Sequence, residues 1–277
     1  MTYNVVIICT RNRKSELMDA LESISAQTLL PDLVLVVDSS DNFSQIEWHG
    51  KFKFIHLQSQ KNLTYQRNVA LNHLTDLSGE SFVHFFDDDV ILGKAYIEKI
   101  VSSFDKFPKF SGICARTPEI IQKDANIYKR FFMLDSKYSG KILPSGVNVQ
   151  FRKSHGIYEV DWLPGCCMSY RYSAIRDFRF DESRTGVGWG EDVDFSYRLK
   201  LRNKLLCDTG LEIIHRLSAV NRDSQLTQFL KVVENRFKLA RIPGSRVRQI
   251  FILWSILGEI PMMIALKLKV TLLKFER

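Results

Sequence analysis

The sequence lacks any C-x-x-C pair. Its five cysteines (Cys9, Cys114, Cys166, Cys167, Cys207) are odd in number and two are adjacent. That argues against a disulfide framework and for free, mostly buried thiols in a reducing compartment. A secretory leader is lacking too: in "MTYNVVIICTRNRK" the apolar run precedes the cations, the reverse of the required order, and is too short. Nor is there an unbroken apolar stretch of about 20 residues, the length a spanning helix needs. The nearest approach, a 17-residue run from Ile250 to Leu266, is interrupted by Glu259 and Pro261. Motifs of the usual nucleic-acid-binding modules are missing as well. The expectation is a cytoplasmic globular protein.

With 277 residues, 45% hydrophobic and 25% charged, the chain can bury a full core, as one large domain or a domain with an appendage. The net charge of +8 is unevenly placed. Residues 222 to 277 hold eleven Lys or Arg against four Asp or Glu, so +7 of it lies in the C-terminal tail.

Short β-branched or aromatic runs alternate with segments of helical periodicity. "NVVIICT", "LVLVVD", "FKFIHL" and "SFVHFFD" read as buried strands; "SELMDALESISAQ", "NLTYQRNVALNHL" and "KAYIEKIVSSF" read as helices, the first with Ser15 as its N-cap. Such alternation predicts right-handed crossovers and an α/β fold with a mostly parallel open sheet flanked by helices. Ligands in such sheets bind outside the carboxyl ends of the strands, where strand order reverses. Thr10, Asp38 and the Asp87–Asp89 cluster therefore open onto one edge. Asp38 taken alone reads equally as a turn residue. From about Ile120 to Val160 periodicity is weak, which predicts loop or lid.

The run "FFDDDVILG" sets three carboxylates between apolar segments. Their repulsion must be offset by solvent, cations or a metal ion. Hard divalent cations are held by one or two carboxylates, phosphate oxygens and water, but a solvated loop or a helix cap would also tolerate the cluster. Glu191 and Asp192 in "GWGEDVD" suit the first turn of a helix through its dipole, or, beside Trp189 and the glycines, a site where an Asp serves as general base. His215, closing "LEIIH", reads as structural or as a ligand.

Taken together, "VVIICTRNR", "VVDSSD", "KNLTYQRNVAL", "FFDDDV", "LPGCCMSYR" and "GWGEDVDFSYRL" resemble, in order and spacing, the family 2 inverting glycosyltransferases of GT-A fold, over about residues 3 to 217. The resemblance implies that Thr10 and Arg11 border the nucleotide pocket and that Asp38 bonds the uracil ring. Arg67 would hold the nucleotide or brace the acidic cluster, Asp87 and Asp88 would lie on the nucleotide side, and Asp89 with His215 would bind the metal. Asp192 matches the catalytic base, with Trp189 and Glu191 toward the acceptor. It further implies a divalent ion (Mn2+ or Mg2+), a UDP-sugar donor, and a glycan or lipid-linked acceptor, as in cell-surface polysaccharide synthesis. Leu63 stands where the family commonly has glycine.

The expected division is a catalytic domain over 1–220, its nucleotide half at about 1–115 and acceptor half at about 116–220, then a helical tail over 221–277. The tail's apolar run, with Arg246, Arg248, Lys267, Lys269 and Lys274 around it, suits attachment to the inner membrane surface, though packing on the catalytic domain or a second subunit is the alternative. Rival functions are a basic-tail nucleic-acid binder, a glycoside hydrolase and a non-catalytic binding protein. The tail's cations interleave with aliphatics rather than exposed aromatics, so nucleic acid is not the expected partner.

Overall fold

The computed structural model describes residues 2–75, 77–116, 126–152, 156–184, 190–216 and 225–275. The chain opens with β1 (Asn4–Thr10), α1 (Lys14–Ser25), β2 (Leu33–Asp38), β3 (Lys53–Gln58), α2 (Leu63–His73) and β4 (Phe82–Asp87). Next come β5 (Val90–Leu92), α3 (Tyr96–Lys106), β6 (Phe110–Cys114), α4 (Ile127–Phe131), β7 (Ile157–Val160), β8 (Cys167–Arg171) and the single turn α5 (Tyr172–Ile175). Then follow α6 (Glu191–Lys200), β9 (Lys204–Asp208), β10 (Ile213–His215) and two long helices, α7 (Gln225–Arg241) and α8 (Gln249–Phe275).

Eight strands form one sheet in the order β3-β2-β1-β4-β8-β6-β9-β7. Four of the seven pairings among the described residues are parallel; β8 enters antiparallel between β4 and β6, and β7 closes the far edge antiparallel. The central strands are covered on both faces, which is why they read as unbroken apolar runs rather than alternating ones. Val5, Val6, Ile7 and Ile8 on β1 and Val34 to Val37 on β2 are all buried. Strand order reverses between β1 and β4, whose registers place Thr10 beside Asp38 and Cys9 beside Asp87. The expected carboxyl edge is thereby assembled. All five cysteines are free, and four of them are buried.

Two expectations change. Helix α1 begins at Lys14 with Arg13 in the cap position, so Ser15 lies inside the first turn and caps nothing. Before it, Arg11 and Asn12 bond to Asp41 and Ser40, and Arg13 to Asp88. The segment expected to be loop contains, in its described parts, α4, an isolated bridge from Ile142 to Asn148, and β7.

The chain divides into two compact units, one of residues 1–121 and 151–223, the other of 122–150 and 224–277. In the second, Glu259 does not break α8. It faces α7 and forms a two-pronged ion pair with Arg236 at 2.6 and 2.8 Å, while Arg236 Nη1 also donates to Ser255 Oγ. Gly258 lies so close to Phe132 that a Cβ there would sit 2.4 Å from the Phe132 Cβ and Cγ. Helix α8 continues through Pro261. Its opposite side leaves Ile250, Leu253, Leu257, Ile260 and Ile264 exposed, spaced by three and four residues along one stripe. Among the described residues no helix is long and apolar enough to cross a membrane.

Within the first unit, polar side chains cap α2 and fasten it to the segment that follows α5. Asn62 accepts from Thr64 N at its start. Asn68 bonds both backbone groups of Phe180, donating to its carbonyl at 2.9 Å and accepting from its N–H at 2.8 Å, and donates to Glu182. Replacing Asn68 by Leu strands those buried groups, so Asn68→Leu is expected to lower unfolding free energy by about 2–3 kcal/mol in denaturant titration. A change below about 0.5 kcal/mol would refute that role.

Candidate active site

Strand β4 carries Asp87 to the carboxyl edge, and a two-residue turn returns the chain into β5. The three aspartates therefore do not share a direction. Asp88 turns toward the loop after β1: Thr10 Oγ1 donates to it at 2.7 Å and Arg13 Nη1 at 3.0 Å. Asp87 and Asp89 meet His215 instead. Strand β10 runs antiparallel to β5 and sets His215 opposite Val90. One ligand atom from each of Asp87, Asp89 and His215 then lies within 4.8 Å of the others. Two carboxylate oxygens and an imidazole nitrogen at this separation suit a divalent ion that prefers oxygen and tolerates nitrogen. His215, which the sequence reads as structural or as a ligand, thus sits beside both carboxylates.

Arg67 on α2 is buried beneath the cluster. Its guanidinium reaches Glu191 Oε1 at 2.7 Å, the Gly165 carbonyl at 3.1 Å and Asp87 Oδ1 at 3.6 Å, with the Phe180 ring 5.2 Å from its central carbon. Gly165 is held from both sides, because its N–H donates to Asp192 Oδ2 at 2.9 Å. Asp192 Oδ1 accepts from Val193 N at 2.8 Å. Glu191 and Asp192 open α6 after Gly190, whose φ of 75° lies in the left-handed region that glycine adopts without strain. Asp192 is half-buried, Glu191 buried.

Burial governs the protonation equilibria here. It pushes Asp87 and Asp192 above the usual carboxylate range, the latter against the two backbone N–H bonds. Asp88 is pushed up to about 6 by burial, which Thr10 and Arg13 oppose. Glu191 rises to about 8 through burial and the charge of Asp192, with Arg67 working the other way. For His215 burial lowers and the Asp89 carboxylate raises; the carboxylate wins, and the imidazole holds its proton to about 11 when no cation competes.

Beside this cluster, at the ends of β1 and β2, lies a cavity of about 180 Å³ lined by Thr10, Asn12, Lys14, Leu17, Asp38, Ser40, Asn42, Ser44 and Ile46. Asp38 Oδ1 accepts from Ser40 N and Ser40 Oγ. Arg11 pairs instead with the exposed Asp41 at 2.9 Å. Asn12, at a φ of 57°, clamps the same loop through Ser40 and Asp41. Trp189 lies outside the described residues. Sequence reasoning missed Asn12, Arg13, His56 and Gly165. Of these, only Arg13 left a signal, a cation three residues after Thr10 that a triple aspartate requires.

The sequence model of glycosyl transferase family 2 matches residues 5–178. No curated protein matches the chain in sequence. Among solved structures, Staphylococcus aureus TarS residues 1–349 bound to UDP-GlcNAc superposes with a TM-score of 0.57 at 16% identity, over 87% of this chain and 67% of that one. GalNAc-T7 with UDP, GalNAc and Mn2+ gives 0.56 at 17% identity, over 94% and 55%. The longer TarS chain gives 0.54 at 17% identity, over 87% of this chain and 40% of its own length. These likenesses establish a shared fold, and the chain spans well under two thirds of the longer of these proteins.

Two outcomes follow. Arg67→Met removes the cation between buried acids and is expected to cost about 3–5 kcal/mol of stability in denaturant titration; a loss under about 1 kcal/mol contradicts the bridging role. The folded chain keeps a proton on Glu191 to about pH 8, whereas the ordinary carboxyl loses it near 4.5. That contribution to stability is whole below pH 4.5 and is lost as pH rises through 8. Unfolding measured across this range should show the decline in the native chain and a flatter profile in Glu191→Gln.

Proposed function

From the premise that the chain belongs to glycosyl transferase family 2, matched over residues 5–178, we propose that it moves a sugar from a nucleotide-sugar donor to an acceptor hydroxyl with inversion. The observation that carries this reading is the meeting of Asp87, Asp89 and His215 beside the Asp38 cavity, with Asp192 on the neighbouring α6. TarS solved with UDP-GlcNAc and GalNAc-T7 solved with UDP, GalNAc and Mn2+ support a UDP-sugar as donor and a divalent ion as cofactor. The donor set here fits Mn2+ or Mg2+, held by Asp87, Asp89 and His215. Such an ion supplies charge neutralisation on the departing nucleoside diphosphate.

The chain's own residues do the rest. Thr10 and Asp38 border the nucleoside, and the buried Arg67 opposes the rise that burial imposes on Asp87 while tying it to Glu191 and Gly165. Asp192 accepts the acceptor hydroxyl's proton at its carboxylate as that oxygen attacks the anomeric carbon. Its raised affinity for protons makes it a stronger base than an exposed aspartate. The two backbone N–H groups on Asp192 fix its orientation before substrate arrives. Trp189 and Glu191 are assigned to the acceptor side.

The acceptor fits a glycan or lipid-linked hydroxyl of cell-surface polysaccharide synthesis, made at the inner face of the membrane. The exposed aliphatic stripe of α8 and the +7 charge of the tail favour attachment to an anionic lipid surface. Pelleting with vesicles containing phosphatidylserine is expected, and should weaken with salt and in Leu253→Glu/Leu257→Glu; equal pelleting by native and variant chains would assign the stripe to a second subunit or to another surface.

The reading is tested by incubating the chain with Mn2+, a panel of UDP-sugars and glycan acceptors while following nucleotide release and product configuration. One UDP-sugar should be consumed with inversion. Asp192→Asn should slow turnover by about 10²–10⁴-fold, the usual share of a general base, with the donor KM little changed. Retained anomeric configuration would contradict the reading, and full activity of Asp192→Asn would remove that residue from its role. Binding without turnover would mark a non-catalytic member.

A further inference from the structure

The cavity at the ends of β1 and β2 has a buried histidine behind its wall that neither the sequence motifs nor the proposed chemistry uses. His56 lies on the edge strand β3 with its ring tilted at 38° against that of Phe43, at 4.9 Å between centroids. Its two ring nitrogens face two different cavity-lining residues. Nδ1 accepts the backbone N–H of Ile46 at 3.0 Å. Nε2, buried and without a hydrogen bond of normal geometry, faces Asp38 Oδ2 at 3.4 Å.

A nitrogen that accepts an N–H carries no proton, so the neutral ring must bear its hydrogen on Nε2, pointing at Asp38. Every group facing Asp38 then donates: Ser40 N and Ser40 Oγ toward Oδ1 at 2.7 and 2.5 Å, and the imidazole toward Oδ2. A carboxyl among donors stays ionised and can only accept. These contacts outweigh burial and hold Asp38 below its ordinary range.

We propose that His56 is the positioning residue that decides which nucleobase the cavity takes: by fixing Asp38 as an acceptor and tying Ile46 to the same ring, it selects a base edge that presents a ring N–H, as uracil does, over one that presents a lone pair, as cytosine does. This rests on the nucleotide-sugar reading of the site. The base must meet an oriented carboxylate: one free to turn would hold the N–H edge more weakly, and one that took up a proton would accept either edge.

The two links can be separated. The amide of glutamine extends about as far as Nε2 and retains a donor toward Asp38, whereas that of asparagine extends only as far as Nδ1 and retains the link to Ile46. Binding of UDP and of CDP is measured calorimetrically with Mn2+ on the native chain, His56→Gln and His56→Asn, each checked by thermal unfolding. The native chain should prefer UDP, His56→Gln should keep most of that preference, and His56→Asn should lose about tenfold of it, the worth of one hydrogen bond to a charged group. Equal preference in all three proteins, or loss in His56→Gln with retention in His56→Asn, overturns the proposal. If either variant fails to fold, Asp38→Asn in the native background supplies the check, since the preference must vanish there; its survival overturns the proposal too. A folded native chain that binds neither nucleotide overturns the nucleotide-sugar reading itself, before any variant is compared.

Discussion

Five carboxylates converge on one sheet edge, and the buried guanidinium of Arg67 is what lets them do so. Asp87, Asp88 and Asp89 arrive from the end of β4, Glu191 and Asp192 from the start of α6. Left alone, so many acids in a partly dry site would repel and neutralise. Arg67 touches Glu191, Asp87 and the Gly165 carbonyl at once, and Gly165 in turn bonds Asp192. One cation therefore couples Asp87 at the end of β4 to Asp192 at the start of α6. Breaking a buried charge array by removing one partner costs more than the array contributes when whole, so Arg67 constrains its neighbours more than it stabilises the fold.

The other cations divide the remaining work. Arg13 and Thr10 take Asp88 out of the cluster, which leaves Asp87 and Asp89 to His215. The fold supplies the meeting place: strand order reverses between β1 and β4, and the short β5–β10 pair returns His215 from late in the chain to the end of the acidic turn. Cavity and acidic cluster thus lie on neighbouring strand ends, the cavity at β1 and β2 and the cluster at the end of β4.

Strands β1, β2 and β4 were legible because each is buried on both faces and reads as an unbroken apolar run closed by a polar residue. The acidic site was legible for the same reason, since such runs deliver their last residue to the carboxyl edge. What was not legible depends on partners far away in sequence. Period-two reasoning places Asp87 and Asp89 together but cannot say that Asp88 has a partner in Arg13, because the tight turn between β4 and β5 has no pattern of its own. Ser15 looked like a cap by residue type, yet Arg13 occupies that position, with its guanidinium on Asp88, a partner 75 residues away. His56 gave no sign at all; within "FKFIHL" it is one polar residue on an edge strand. Glu259 looked like an interruption of an apolar helix until Arg236 appeared opposite it.

Under the proposed function, the acidic cluster holds a divalent ion together with a nucleoside diphosphate. Calorimetric titration of UDP into the folded chain, with Mn2+ and then with a chelator, on the native sequence and on Asp89→Ala, tests it most directly. The account predicts binding that requires Mn2+ and disappears in Asp89→Ala. UDP binding that is indifferent to chelator and to Asp89→Ala, or no binding by a chain shown to be folded, would contradict it.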